Sequence, residues 1–179
     1  MIESFASESF LLCVVALIWI IQIINSLAGY RISQLGIIPR SKRGLVGIFI
    51  SPFIHHGYTH VSANTVPLFI LGLGVASYGF EYLVVVTLLI TIIGGILVWL
   101  FARTASHSGA SLLIFGYFGV NVYSFFDDPN WMSGIISLVT IFIYGGIIRG
   151  VLPAEKSVSW EGHLFGFLAG IGILYFNIV

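Results

Sequence analysis

The sequence predicts an all-α membrane protein, a bundle of six transmembrane helices with no soluble domain. Three observations carry this reading. Of the 179 residues, 58% are hydrophobic and only 8% charged, whereas an ordinary soluble domain carries about 25% charged residues. Mean hydropathy is +1.07. The apolar residues fall in runs that do not alternate, such as Leu83-Val84-Val85-Val86-Thr87-Leu88-Leu89-Ile90, which excludes barrel strands with their period of two. A soluble sphere of this size needs far more polar surface, and a disordered chain has far less apolar area to bury. At about 20 residues per span, the length allows at most six or seven spans.

The spans are placed as follows. The first is 10–27, interrupted only by Gln22 and Asn25. The second, 56–80, contains Pro67, and the third, 82–101, has no charge. The fourth, 111–126, is short; the fifth is 131–148 and the sixth 162–179. Trp131 and Trp160 sit at span ends, where an aromatic belt places them. Gly79-Phe80-Glu81 is almost a bare turn, and Asp127-Asp128-Pro129-Asn130 is a turn with strong breaker chemistry. The connection 28–54 is too long for a simple link and is expected to hold structure of its own. No internal repeat is visible. The start at Met1 carries Glu3 and Glu8 and no early Lys or Arg, unlike a cleavable signal peptide.

Net charge is zero, from seven Lys+Arg against seven Asp+Glu, so a basic face for nucleic acid is absent. The single cysteine, Cys13, has no internal disulfide partner. The lipid bilayer is the expected surrounding.

Polar groups inside a span are functional candidates because the bilayer penalises them. Here they are His60, Asn64, Ser111 and His163, all near the starts of even-numbered spans and therefore level on one side of the membrane. His60 and Asn64 are four apart and share a helix face, with His56 one turn earlier. The helix pattern by itself favours an interhelical hydrogen bond that holds the bundle; the alternative is a donor pair aimed at a developing oxyanion. Ser111 ends Ser108-Gly109-Ala110-Ser111, where a loop becomes a helix and amides lack intrahelical partners. His163 is followed on its own face by Gly166 and Gly170, and the fourth span has Gly109, Gly116 and Gly119. These small-residue stripes let the two helices approach closely and bring Ser111 towards His163. A neutral imidazole then takes the serine proton and returns it to the leaving group. No carboxylate is placed to orient His163, so an enzyme built on these residues would use a dyad. A metal site is the competing reading of His55, His56, His60, His107 and His163. The zinc-protease HExxH helix is missing, and no span holds an Asp or Glu to complete a ligand set. A transporter would show repeated halves; nothing mirrors Pro67.

These residues resemble those of the rhomboid intramembrane serine proteases, over about residues 45–170. His60-Val61-Ser62-Ala63-Asn64 is similar to the family's HxxxN motif, Gly109-Ala110-Ser111 to its GxS motif, and Gly162-His163-Leu164-Phe165-Gly166 to its HxxG motif. The resemblance implies a six-helix rhomboid-like bundle. In it Ser111 is the nucleophile and His163 the base, and His60, Asn64 and the Ser111 amide are oxyanion donors. Gly109 would allow the turn into the helix, and Phe115 would pack on the catalytic histidine. His55 would be structural. It also implies transmembrane protein substrates, cut near the membrane surface in helix-destabilised segments, and no cofactor.

Three departures stand out. Leu112 occupies a position that is usually Gly, and its isobutyl group is expected to crowd the substrate carbonyl. Val46-Gly47 replace a Trp-Arg pair, so the first loop is expected to be held differently. Glu161 and Gly162 precede the base where small residues are usual. The alternative function is a weak or inactive rhomboid-like protein that binds membrane clients without cleavage. Such relatives usually lack the Ser or the His, and both are present here. The seven basic residues (Arg31, Arg40, Lys42, Arg43, Arg103, Arg149, Lys156) all fall in the first, third and fifth loops. The positive-inside rule draws those loops to the cytoplasm. The resemblance implies a multi-pass protein of the cell membrane with those loops, and the site, on the outer side, and that orientation is the expectation taken forward.

Overall fold

The structure, a computed structural model, describes residues 2–127 and 159–179, together with Ile135 and Leu138. Among the described residues there are six α-helices and no strand: α1 (Ile2–Leu27), α2 (Lys42–Ile50), α3 (Tyr58–Ala76), α4 (Phe80–Phe101), α5 (Ser111–Asp127) and α6 (Trp160–Tyr175). α1, α3 and α4 are long and apolar enough to cross a membrane, while α5 and α6 are shorter, at 17 and 16 residues. The expected first, second, third, fourth and sixth spans coincide with α1, α3, α4, α5 and α6. Apart from Ile135 and Leu138, the expected fifth span 131–148 lies outside the described residues, as do Asp128, Pro129, Asn130, Arg149 and Lys156.

Boundaries differ from the apolar limits at three helix starts. α1 starts eight residues before its apolar run, at Ile2, and Ser4 there donates to Glu8 at 3.0 Å. α3 begins two residues after His56 and continues through Pro67. α6 starts at Trp160, where Ser159 caps it.

α5 forms the centre. Every residue from Leu112 to Asn121 is buried, with α3, α4 and α6 packed around it and α1 lying outside α3. α1 shows how the sequence sorts its faces. Leu11, Ile18, Gln22 and Asn25 are buried, whereas Leu12, Leu17, Ile20, Ile23 and Ile24 are exposed, as a lipid-facing surface requires. Lipid is as apolar as leucine, so helices associate through close packing and hydrogen bonds. Trp19 of α1 accordingly donates to Thr65 of α3 at 3.0 Å.

α5 and α6 approach each other backbone to backbone. A Cβ on Gly166 would strike the Leu112 carbonyl, one on Gly170 the Gly116 carbonyl, and one on Gly119 the Phe167 carbonyl. The two glycine stripes read from the sequence therefore meet.

The long first connection does hold structure. α2 packs on α4, with Gly44 and Gly47 against the backbone of residues 36–38. Arg40 donates to the carbonyls of Leu100 and Ala102 at the end of α4, and Trp99 donates to Ser41. Val46 and Gly47 thus lie in α2, within a connection anchored by Arg40 and Trp99.

Gly170→Val forces a β-branched side chain into the Gly116 carbonyl and is expected to lower the melting temperature in detergent by about 5 °C or more. Gly172 has open space around it, so Gly172→Ala leaves the melting temperature within about 2 °C. Equal effects of the two changes would show that this contact does not hold the helices together.

Candidate active site

Ser111, the candidate nucleophile, follows a turn held at two points. Gly109 has φ +124° and its N–H donates to the Ser51 carbonyl at 2.9 Å. The next N–H, that of Ala110, donates to His55 Nε2 at 3.2 Å. His55 is itself held through its carbonyl, which accepts from Asn25 Nδ2 at 3.0 Å. Asn25 is fully buried, and its Oδ1 also accepts from the backbone of Ile32 and Ser33. A polar residue that only interrupted the first apolar run in the sequence thus organises the loop beneath the site. α5 then begins at Ser111, so the amides of Ser111, Leu112 and Leu113 have no partner within the helix.

Glycine is required at 109 for a second reason. A Cβ there would meet His60 Cε1 and Nε2, each at 2.9 Å, and would sit 3.7 Å from Ser111 Oγ. The Nε2 edge of His60 therefore lies against the turn that carries Ser111. His60 Nδ1 accepts from the His56 N–H at 3.5 Å, which leaves the ring hydrogen on Nε2, facing that turn. Asn64 Nδ2 donates to the His60 carbonyl at 2.7 Å and carries a second hydrogen. His60 and Asn64, placed together by helical spacing, both line the cavity that Ser111 lines.

His163 lies in the first turn of α6. Its N–H donates to the Ser159 carbonyl at 3.3 Å. Its ring stacks on Phe115, with centroids 4.2 Å apart and planes within 8°. Phe115 is four residues beyond Ser111, so the Gly166 and Gly170 contacts that join α5 to α6 also bring this pair face to face. Ser111, His163, His60, Asn64 and Phe115 line one cavity of about 560 Å³.

Electrostatics keep the outer histidines neutral. Burial, reinforced by the neighbouring His60 ring, pushes His55 down to about 3, in agreement with Nε2 serving as an acceptor. Burial also lowers His56, whose Nε2 lies 3.0 Å from Ser108 Oγ on the cavity wall. Sequence spacing did not single out Ser108.

A family model, the rhomboid domain, matches residues 42–178. The chain belongs to the rhomboid family. Over 175 residues it is 37% identical to an uncharacterized protein of Mycobacterium tuberculosis (strain ATCC 25618 / H37Rv), covering 92% of this chain and 72% of that one. An uncharacterized protein of Mycobacterium bovis matches to the same extent, and one of Mycobacterium leprae is 33% identical, with 92% and 69% covered. This rhomboid protein, with three helices apolar enough to span, is an integral membrane protein.

Leu112 does not line the 560 Å³ cavity. Its side chain is buried beside Gly94 of α4, where a Cβ would sit 3.4 Å from the leucine methyl. The helix turn that aims Ser111 at the cavity aims residue 112 about 100° away, so the isobutyl group packs into the core. Glu161 is buried at 3% exposure and pairs with Arg103 at 3.3 Å. Arg103 and Arg40 therefore have structural employment in this rhomboid, apart from any influence on membrane orientation.

The neutral state of His55 has a measurable consequence. Its value is about 6.5 unfolded and about 3 folded, so as pH falls the unfolded chain takes up the proton first. Stability is complete above about pH 6.5 and is lost progressively towards about pH 3. Melting temperature in detergent is expected to fall between about pH 7 and about pH 5. His55→Gln, whose carboxamide oxygen still accepts from Ala110, should show a shallower fall; equal slopes would remove His55 from this role.

Proposed function

We propose that this rhomboid is an intramembrane serine endopeptidase that cleaves transmembrane segments of other membrane proteins with a Ser111–His163 dyad. The observation that carries the proposal is the convergence of Ser111, His163, His60 and Asn64 on one cavity at the start of three helices. Ser111 Oγ attacks the scissile carbonyl while His163 takes its proton. The protonated ring then delivers that proton to the leaving amine, and water, deprotonated by the same ring, releases the acyl group. Charge developing on the carbonyl oxygen meets the Ser111 amide, the Nε2 hydrogen of His60 and the second hydrogen of Asn64. Donors fixed in place before reaction stabilise that charge, each being worth about 10²–10³ in rate.

The Phe115 face restricts the imidazole to one plane. The cavity is open enough for an unwound peptide segment and for the hydrolytic water. Its level at the starts of α3, α5 and α6 supports cutting near one membrane surface. We place that surface on the outer side of the cell membrane. Arg40 caps the end of α4 and Arg103 pairs with Glu161, so fold architecture accounts for part of the basic bias on the site side.

A fluorophosphonate probe is expected to label the wild type in detergent and to leave Ser111→Ala unlabelled. Asn64→Ala should cut turnover about a hundredfold with little change in melting temperature. Labelling that persists in Ser111→Ala would remove the serine from its role. Absence of labelling in folded wild type would favour client binding without cleavage. Reporter fusions should find both chain ends in the cytoplasm; external ends would mean that the site faces inward.

A further inference from the structure

Behind the candidate base lies a set of polar contacts that the proposed chemistry does not use. His107, 3% exposed, sits where three segments meet. Its backbone exchanges two hydrogen bonds with Ile37, at 2.8 and 2.9 Å. Its ring reaches the other two segments: Nε2 lies 2.9 Å from the Arg103 carbonyl and Nδ1 lies 2.7 Å from Ser159 Oγ.

Only one arrangement of hydrogens satisfies this set with a neutral ring. A carbonyl only accepts, so Nε2 donates to Arg103. Burial holds the ring below the ordinary histidine range, although the Arg103 carbonyl and Glu161 oppose the shift. Nδ1 is then an acceptor, and the Ser159 hydroxyl must donate to it. That turns the hydroxyl lone pairs towards α6, where they accept the Gly162 N–H at 3.3 Å. The Ser159 carbonyl accepts the His163 N–H at 3.3 Å. A second tie runs alongside, because Glu161 accepts from both the backbone N–H and the Nε of Arg103, at 3.4 and 3.3 Å. The first turn of α6 is thus fastened to the loop between α4 and α5 on both sides of His107.

We propose that His107 is a positioning residue that, acting through Ser159, sets the first turn of α6 and so the placement of the His163 ring. The claim rests on the Ser111–His163 reading for its catalytic meaning, but not for its geometry. The first turn of α6 carries the His163 ring, so the placement of the ring follows that of the turn. A serine cap whose hydroxyl hydrogen is claimed elsewhere keeps both lone pairs on the helix, and His107 supplies that claim. A displacement of about 1 Å at a reacting group costs as much as 10²-fold in rate.

The test uses the full chain in detergent with isotope-labelled histidine. His163 ring protons should be shifted upfield by the Phe115 ring current, and His107 should show the Nε2–H tautomer. In His107→Phe, which keeps a planar ring without an acceptor, the His163 signals should move towards free-histidine positions. kcat should fall about tenfold to a hundredfold with KM within about twofold. His107→Asn places a carboxamide oxygen where Nδ1 was and should restore most of both readouts. In a Ser159→Ala background the two substitutions should become equivalent. If His107→Phe does not fold, Ser159→Ala alone must displace the His163 signals. Unmoved His163 signals, or identical His107→Phe and His107→Asn proteins with Ser159 intact, would overturn the proposal. The chemical shifts need no turnover, so a wild type with the ring-current shift but no hydrolysis defeats the protease reading and leaves the positioning role standing.

Discussion

Backbone contact between α5 and α6 is the constraint on which the rest of the site depends, because it brings Ser111 and His163 to one cavity. In lipid no hydrophobic force drives helices together, so association relies on close approach. Gly116, Gly119, Gly166 and Gly170 remove the side chains that would hold the axes apart. Once the axes are close, the rotation of each helix is fixed by which carbonyl meets which glycine. That rotation turns Phe115 onto His163 and buries Leu112 against α4.

The membrane end of the bundle solves a different problem. Loop backbone near the bilayer must have its polar groups satisfied, and buried side chains do this. Asn25 serves Ile32, Ser33 and His55, and His55 serves Ala110. Arg40 serves the last carbonyls of α4. These contacts run from α1 to the turn before Ser111. Ser111 is therefore positioned by residues remote from it in sequence.

The five histidines, alike in composition, divide by partner. His55 accepts from an amide, and His107 bridges a carbonyl and a hydroxyl. His60 takes a backbone hydrogen on Nδ1 and turns Nε2 to the cavity, while His56 meets Ser108. His163 lies on an aromatic face. In each of the first three cases the partner dictates which nitrogen carries the hydrogen, and so whether that ring donates or accepts.

Composition and apolar runs by themselves determined an α-helical membrane protein, because a bilayer accepts few other solutions. Spacing determined which polar residues share a helix face and that the starts of α3, α5 and α6 lie level. The glycine stripes were legible for the same reason, since they follow from one helix's own periodicity. The role of Asn25, the burial of Glu161 against Arg103, the direction of Leu112 and the bond from His107 to Ser159 were decided only by the tertiary structure. Each joins segments far apart in the chain, and no periodicity within one helix encodes how another helix is rotated against it.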